Sequence, residues 1–226
     1  MITVTHLLDA HASGSSYTSY TTSSISWAAN SLILFSVQSV KNGTSTSSAI
    51  PTVSGGLTFT QINTQGFVTG TNNSPGHITV FRAYTSTAGS GAFTVDFGGE
   101  STAESNYSFE QVTNFMLGGT NGSNAIIQSG TNTAAANSPI SVVLNTFANV
   151  NNIAFGAEGG NGDGLPTKGG SFTQLTSVLT QEFMTEYAVN VPTVNFTTAN
   201  NQGGHGMVAL EIAIGTGNTL FMGGGL

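Results

Sequence analysis

Cysteine is absent from all 226 residues, which excludes disulfides and thiolate metal sites. Positive charge is nearly as scarce, with three Lys+Arg against ten Asp+Glu and a formal net charge of −7. So few cations cannot neutralise a phosphate backbone, the source of most nucleic-acid affinity, so nucleic acid is excluded as a partner. They also leave nothing to dock on an anionic membrane surface. Charged residues of both signs reach only 6%, too few for a helical bundle or coiled coil built on Glu, Lys and Arg. Long apolar runs are missing too: none approaches the ~18 residues of a transmembrane helix. The start, Met1 to His6, has neither a basic n-region nor an apolar h-region, so no signal peptide is expected.

What the chain does contain is Gly, Ser, Thr and Asn, together about half of it, and a 38% hydrophobic fraction with 14 Phe. That fraction builds a core, which separates the chain from disordered polar tracts. Period-2 alternation recurs from end to end. Phe93, Val95 and Phe97 alternate with Thr94 and Asp96, and Val208, Leu210, Ile212 and Ile214 alternate with Met207, Ala209, Glu211 and Ala213. Further strands are expected at 2–7, 31–40, 57–62, 78–84, 107–115, 140–144, 152–157, 172–179, 183–189 and 193–197. One face of each should meet the core and the other solvent. Turn-formers join them: Lys41-Asn42-Gly43, Asn72 to Gly76, Thr120-Asn121-Gly122 and Gly159 to Gly164. The expected fold is all-β, an antiparallel β-sandwich of jelly-roll-like form. A single domain over residues 1–214 is expected, followed by a Gly-rich tail at 215–226.

A weak repeat runs through the chain, spanning 28–97 and 148–196. Pro51-Thr52-Val53-Ser54-Gly55-Gly56-Leu57-Thr58-Phe59-Thr60-Gln61-Ile62 returns, two residues shorter, as Pro166-Thr167-Lys168-Gly169-Gly170-Ser171-Phe172-Thr173-Gln174-Leu175. A hydrophobic segment precedes each copy (32–37, 153–157), and Thr94-Val95-Asp96-Phe97 and Thr193-Val194-Asn195-Phe196 follow in the same order. Two readings stand: similar strand-turn-strand solutions on one scaffold, or an internal duplication whose halves interleave in one jelly roll of two Greek keys. Two tandem sandwiches are the less favoured version of the second.

No motif announces catalysis. His6 and His11 sit five apart, on opposite faces of a strand, His77 opens a strand and His205 lies in a Gly-rich turn; none is expected to be a ligand or a base. Glu182 and Glu186 would share a strand face ~13 Å apart, beyond the ~5–9.5 Å of glycosidase carboxylates, and are read as a solvated face. The run Gly159 to Gly164 resembles a calcium-binding Gly-Gly-x-Gly-x-Asp repeat, but Asp163 arrives one position early and only once. Gly-x-Ser-x-Gly elbows and phosphate cradles are lacking. The chain is therefore expected to be no enzyme and to take no cofactor or metal. Trp27, Tyr17 and Tyr20 could form a sugar-stacking platform, and Leu220, Phe221, Met222 and Leu226 could anchor the tail on a neighbouring subunit. With two Lys and five Pro for about a dozen strands, the edges are expected to be buried in a partner or covered by Asn/Thr/Gly-rich loops, and a subunit of an assembly is favoured.

The segments Ser26 to Leu34, Gly56-Leu57-Thr58-Phe59, Thr79-Val80-Phe81-Arg82-Ala83, Gly91 to Gly99 and Val208-Ala209-Leu210-Glu211-Ile212 together resemble a β-sandwich module. Modules of this kind recur in bacteriophage virion proteins and bacterial surface proteins. The resemblance covers most of the chain and brings no catalytic residues. It implies a virion structural protein: a capsid decoration (cement) protein that forms a homo-oligomer, such as a trimer, on a major capsid protein. Such a protein would assemble in the host cytoplasm and leave by lysis. The alternative it implies is a tail or fibre module binding a receptor or carbohydrate, or a protein of the cell surface.

Overall fold

Apolar runs of the sequence form the middle strands of two sheets. The computed structural model describes residues 1–41, 43, 48–68, 74–160, 164–176, 182–197 and 203–215. Its first strands are β1 (Thr3–Tyr17), β2 (Ser19–Thr21), β3 (Ile25–Trp27), β4 (Ser31–Lys41), β5 (Thr52–Gly55), β6 (Thr60–Val68), β7 (Pro75–Thr85), β8 (Gly89–Gly91), β9 (Phe93–Asp96) and β10 (Thr102–Thr113). After a 3₁₀ segment (Thr120–Ala125) come β11 (Ile126–Ala134), β12 (Ile140–Val143), β13 (Ile153–Gly160), β14 (Thr173–Gln174), β15 (Phe183–Val189), β16 (Thr193–Phe196) and β17 (His205–Ile212).

The first half makes a five-stranded antiparallel sheet, β1-β10-β4-β7-β6, and the second makes another, β11-β17-β13-β15-β14. Numbered by chain order within each sheet, both run first, fifth, second, fourth, third. Each sheet is covered on its outer side by short strands from the same half. In the first these are β2-β9-β5 and the pair β3-β8; in the second they are β12-β16, extended by a bridge between Thr167 and Thr197. The sequence repeat falls on equivalent places: β4 and β13, β5 and the Thr167 bridge, β6 and β14, β9 and β16. Because each sheet draws on one half alone, the halves stand side by side and do not interleave.

Three apolar clusters fill the layers. Ile33, Phe35, Val37, Phe93, Val95 and Phe109 fill the outer core of the first half, where the Phe35 and Phe109 rings stack at 4.0 Å. Ala154, Met184, Val194, Phe196 and Met207 fill that of the second half. Between the sheets lies a shared core: Leu32, Leu34, Val80 and Val112 meet Phe155, Phe183, Val208, Leu210 and Ile212.

This layering corrects the expected one-sided strands. Every residue from Ser31 to Val40 is buried, as is every residue of β13 and β17. On β17 the alternation sorts side chains between two cores: Val208, Leu210 and Ile212 enter the shared one, Met207 and Ala209 the outer one. The stretch read as one strand at 57–62 divides into the end of a turn and the start of β6, and 172–179 yields only β14 among its described residues. Strand β11, polar and at a sheet edge, was not expected.

The two halves are tied by more than apolar contact. Gln38 on β4 donates to the Gly160 carbonyl at 2.5 Å, and Thr185 on β15 donates to Glu110 on β10 at 2.9 Å. Asn121, in the connecting 3₁₀ segment at φ 52°, accepts from the Tyr84 amide at 2.7 Å and donates to the Thr58 carbonyl at 2.8 Å. Asn tolerates that left-handed backbone better than bulkier residues do.

Two-sided burial is directly testable on β4, where Ile33 and Leu34 are neighbours facing opposite cores. Ile33→Ala and Leu34→Ala are each expected to cost about 2–5 kcal/mol in urea unfolding. A strand with one solvated face would lose stability at only one of the two positions.

Candidate functional site

The chain carries little charge and buries half of its ten carboxylates. Of its seven Glu, Glu110, Glu158, Glu182, Glu186 and Glu211 are 0–1% exposed. Among the described Asp, Glu, Lys and Arg, only Asp96 is classed as exposed. The solvated face expected for Glu182 and Glu186 is thus overturned: β12 and β16 cover that side of the second sheet. Glu158 on β13, Glu186 on β15 and Glu211 on β17 alternate with the residues of the shared core and so point the same way, under the outer layer.

Each buried carboxylate has different company. Glu211 accepts from Asn152 Nδ2 and Gln128 Nε2, both at 2.6 Å. Glu186 accepts from the Gly169 amide at 2.9 Å, while its Oε1 has no hydrogen-bond partner. Burial pushes the Glu186 carboxyl up to about 8, against the pull of Lys168. Glu110 faces the opposite way, between the sheets, with Thr185 as donor and His6 Nδ1 at ion-pair distance, 3.6 Å. Burial raises Glu110, and the Glu110 carboxylate raises His6 in return.

The tightest constellation forms where β13 ends, β15 begins and β17 begins. His205, expected in a turn, is the first residue of β17 and is 1% exposed. Its Nδ1 lies 2.7 Å from Glu158 Oε1 and 3.8 Å from Glu182 Oε1. Its Nε2 lies 3.0 Å from the Ser138 carbonyl oxygen, which can only accept, so Nε2 carries the hydrogen. Nδ1 and Oε1 then approach with one proton between them, on the imidazole or on the carboxyl. Burial raises Glu158, and its Oε2 has no hydrogen-bond partner. Glu182 Oε2 accepts from the Gly203 amide at 3.3 Å. Space for Glu182 comes from Gly160, where any Cβ would collide with the carboxyl. Ligand atoms of Glu158, Glu182 and His205 all fall within 4.8 Å of one another.

The other histidines stay apart from this cluster. His11 pairs with Asn106 at 2.9 Å, and His77 meets Ser48 at 2.5 Å beside a shallow depression lined by Phe67, Val68 and Pro75. Burial lowers His77. Trp27 is 8% exposed and packs on Phe93 at 6.0 Å. Tyr17 donates to the Ala12 carbonyl at 2.6 Å, and Tyr20 stacks on Tyr107 at 5.4 Å. These three rings pack on the first half's outer core, Trp27 buried in it and Tyr17 and Tyr20 half-buried at its margin. Asp163, Leu220, Phe221, Met222 and Leu226 lie outside the described residues. No sequence spacing could have joined Glu158, Glu182 and His205, which come from three separate segments.

A carboxyl held above its unfolded value stabilises the fold while it is protonated. For Glu186 that contribution is complete below about 4.5 and is lost as pH rises through about 8. Glu110, Glu158 and His6 shift in the same direction. Urea midpoints are therefore expected to fall from pH 5 to pH 8, and Glu186→Gln to lessen that fall. An unaltered pH profile in the variant would refute the assignment. Comparisons of the chain with known protein families, with curated proteins and with solved structures return no match.

Proposed function

We propose that this chain is a non-enzymatic structural subunit, a homo-oligomeric decoration protein of a bacteriophage capsid. One observation carries the reading: a surface poor in charge, with Asp96 exposed and six other Asp, Glu, Lys or Arg half-buried among the described residues. Typical soluble globular domains carry about 25% charged residues, against 6% here. Short Gly, Ser, Thr and Asn side chains lose little entropy when another subunit packs on them. The fifteen-residue β1 pairs with β10 on one side, and among the described residues no strand pairs with its other side. Such an edge is a template for another chain. Exposed Val143, Val150 and Val189 add apolar contact near one end of the second half, where the Leu144 amide bonds the Pro192 carbonyl and Ile153 pairs with Val189.

The choice of a virion rests on the resemblance of the strand segments to phage β-sandwich modules. We read each half as jelly-roll-like, because the strand order of its inner sheet and the interleaved outer strands follow that scheme. Contacts along β1 and across the uncharged faces would add buried area to the shell. A subunit of a tail or fibre, binding a receptor or carbohydrate, is the alternative place for the same surface; the burial of Trp27 weighs against a sugar-stacking role for that ring.

Sedimentation velocity from 1 to 100 µM tests the proposal (a conventional working range, about the span over which weak and strong association separate). A discrete oligomer is expected, and its dissociation constant should change less than about twofold between low and high salt, because exposed charge contributes little. A monomer throughout that range would overturn the proposal.

A further inference from the structure

We propose that Glu158, Glu182 and His205 form a structural site for a divalent first-row transition-metal ion, with zinc the best fit. The inference concerns the interior of the second half and stands apart from the assembly role. Two carboxylates and an imidazole are gathered from three strands or strand ends, all 0–1% exposed, with their ligand atoms within 4.8 Å. A group of this kind needs positive charge, and the chain's three cations are engaged elsewhere: Lys41 with Glu100 at 2.6 Å, Arg82 with the Asn121 carbonyl at 3.2 Å, Lys168 beside Glu186. The contact with His205 uses Glu158 Oε1 and leaves Glu158 Oε2 buried without a hydrogen-bond partner. A buried acceptor in that state is costly, and a cation satisfies it.

The donor set selects the ion. Calcium and magnesium take oxygen ligands, while an imidazole nitrogen beside carboxylates suits zinc and its neighbours. Around a tetrahedral zinc with ligands at about 2.0–2.2 Å, neighbouring ligand atoms stand about 3.4 Å apart. The separations from His205 Nδ1, 2.7 Å to Glu158 and 3.8 Å to Glu182, bracket that value, so small carboxylate rotations complete the geometry. His205 already has the outer contact that metal-bound histidines use, with Nε2–H donating to the Ser138 carbonyl. Nδ1 is left as the ligand atom, facing both carboxylates. Burial of all three side chains gives the ion a holding role, pinning the ends of β13 and β17 to the start of β15.

The test is calorimetric titration of the chelator-treated full chain with zinc chloride, with calcium chloride as the oxygen-preferring control. One zinc per chain is expected, with a rise in Tm of about 5 °C or more at saturating zinc, and no matching response to calcium. His205→Gln and Glu158→Gln should each weaken zinc binding at least tenfold, whereas His11→Gln should leave it unchanged. Absence of stoichiometric zinc binding by the unaltered chain would overturn the proposal, as would full binding by both site variants. If the variants do not fold, X-ray absorption of the zinc-loaded unaltered chain decides. One imidazole with oxygen ligands supports the site, and a shell without nitrogen refutes it.

Discussion

Everything else in this structure depends on the face-to-face packing of its two five-stranded sheets. Leu32, Leu34, Val80 and Val112 from one sheet close on Phe155, Val208, Leu210 and Ile212 from the other. Burial of apolar area is the dominant favourable contribution to folding. Here it is placed between two sheets that each carry a second core on the far side. Central strands such as β4, β13 and β17 consequently have no solvent face. Any polar side chain on them must find its partners inside the protein.

That requirement organises the polar interior. Between the sheets, Gln38 bonds Gly160 across the interface and accepts from Asn106, while Thr185 bonds Glu110. These directional bonds set how the sheets meet, which apolar contact alone leaves loosely specified. Under the outer layer of the second half, Glu211 is satisfied by two amides. Glu158, Glu182 and His205 instead converge on one another. One sheet face thus holds both a completed polar contact and a buried group of two carboxylates and an imidazole.

With its carboxylates inside, the exterior is left to Gly, Ser, Thr and Asn. Strand edges are covered by amide side chains in the role that Lys usually takes: Asn132 donates to the Ser141 carbonyl on β12, and Gln128 exchanges two bonds with Asn145. Strand β1 has no strand partner on its outer edge among the described residues. The uncharged exterior and the charged interior are two results of one distribution. The proposed assembly role and the proposed metal site each follow from one side of it.

The all-β class, most of the strands and the repeat were legible in the residues. Alternation of side chains and clustered turn-formers are local properties of the chain, and they survive folding. Thr94 to Phe97 and Thr193 to Phe196 could be matched by eye, and they do occupy equivalent strands, β9 and β16. Residues alone could not tell whether the second face of a strand meets water or another layer, because that is set by which sheet packs on it. Glu182 and Glu186 illustrate the limit: their period-2 spacing is that of a solvated face, yet β12 and β16 cover them. The same holds for Glu158 and His205, 47 residues apart in the chain and 2.7 Å apart in space. Sequence alone determined the elements and their repeated order. Tertiary packing decided which charges are buried and which of them meet, since long-range contact and desolvation arise only once the layers close.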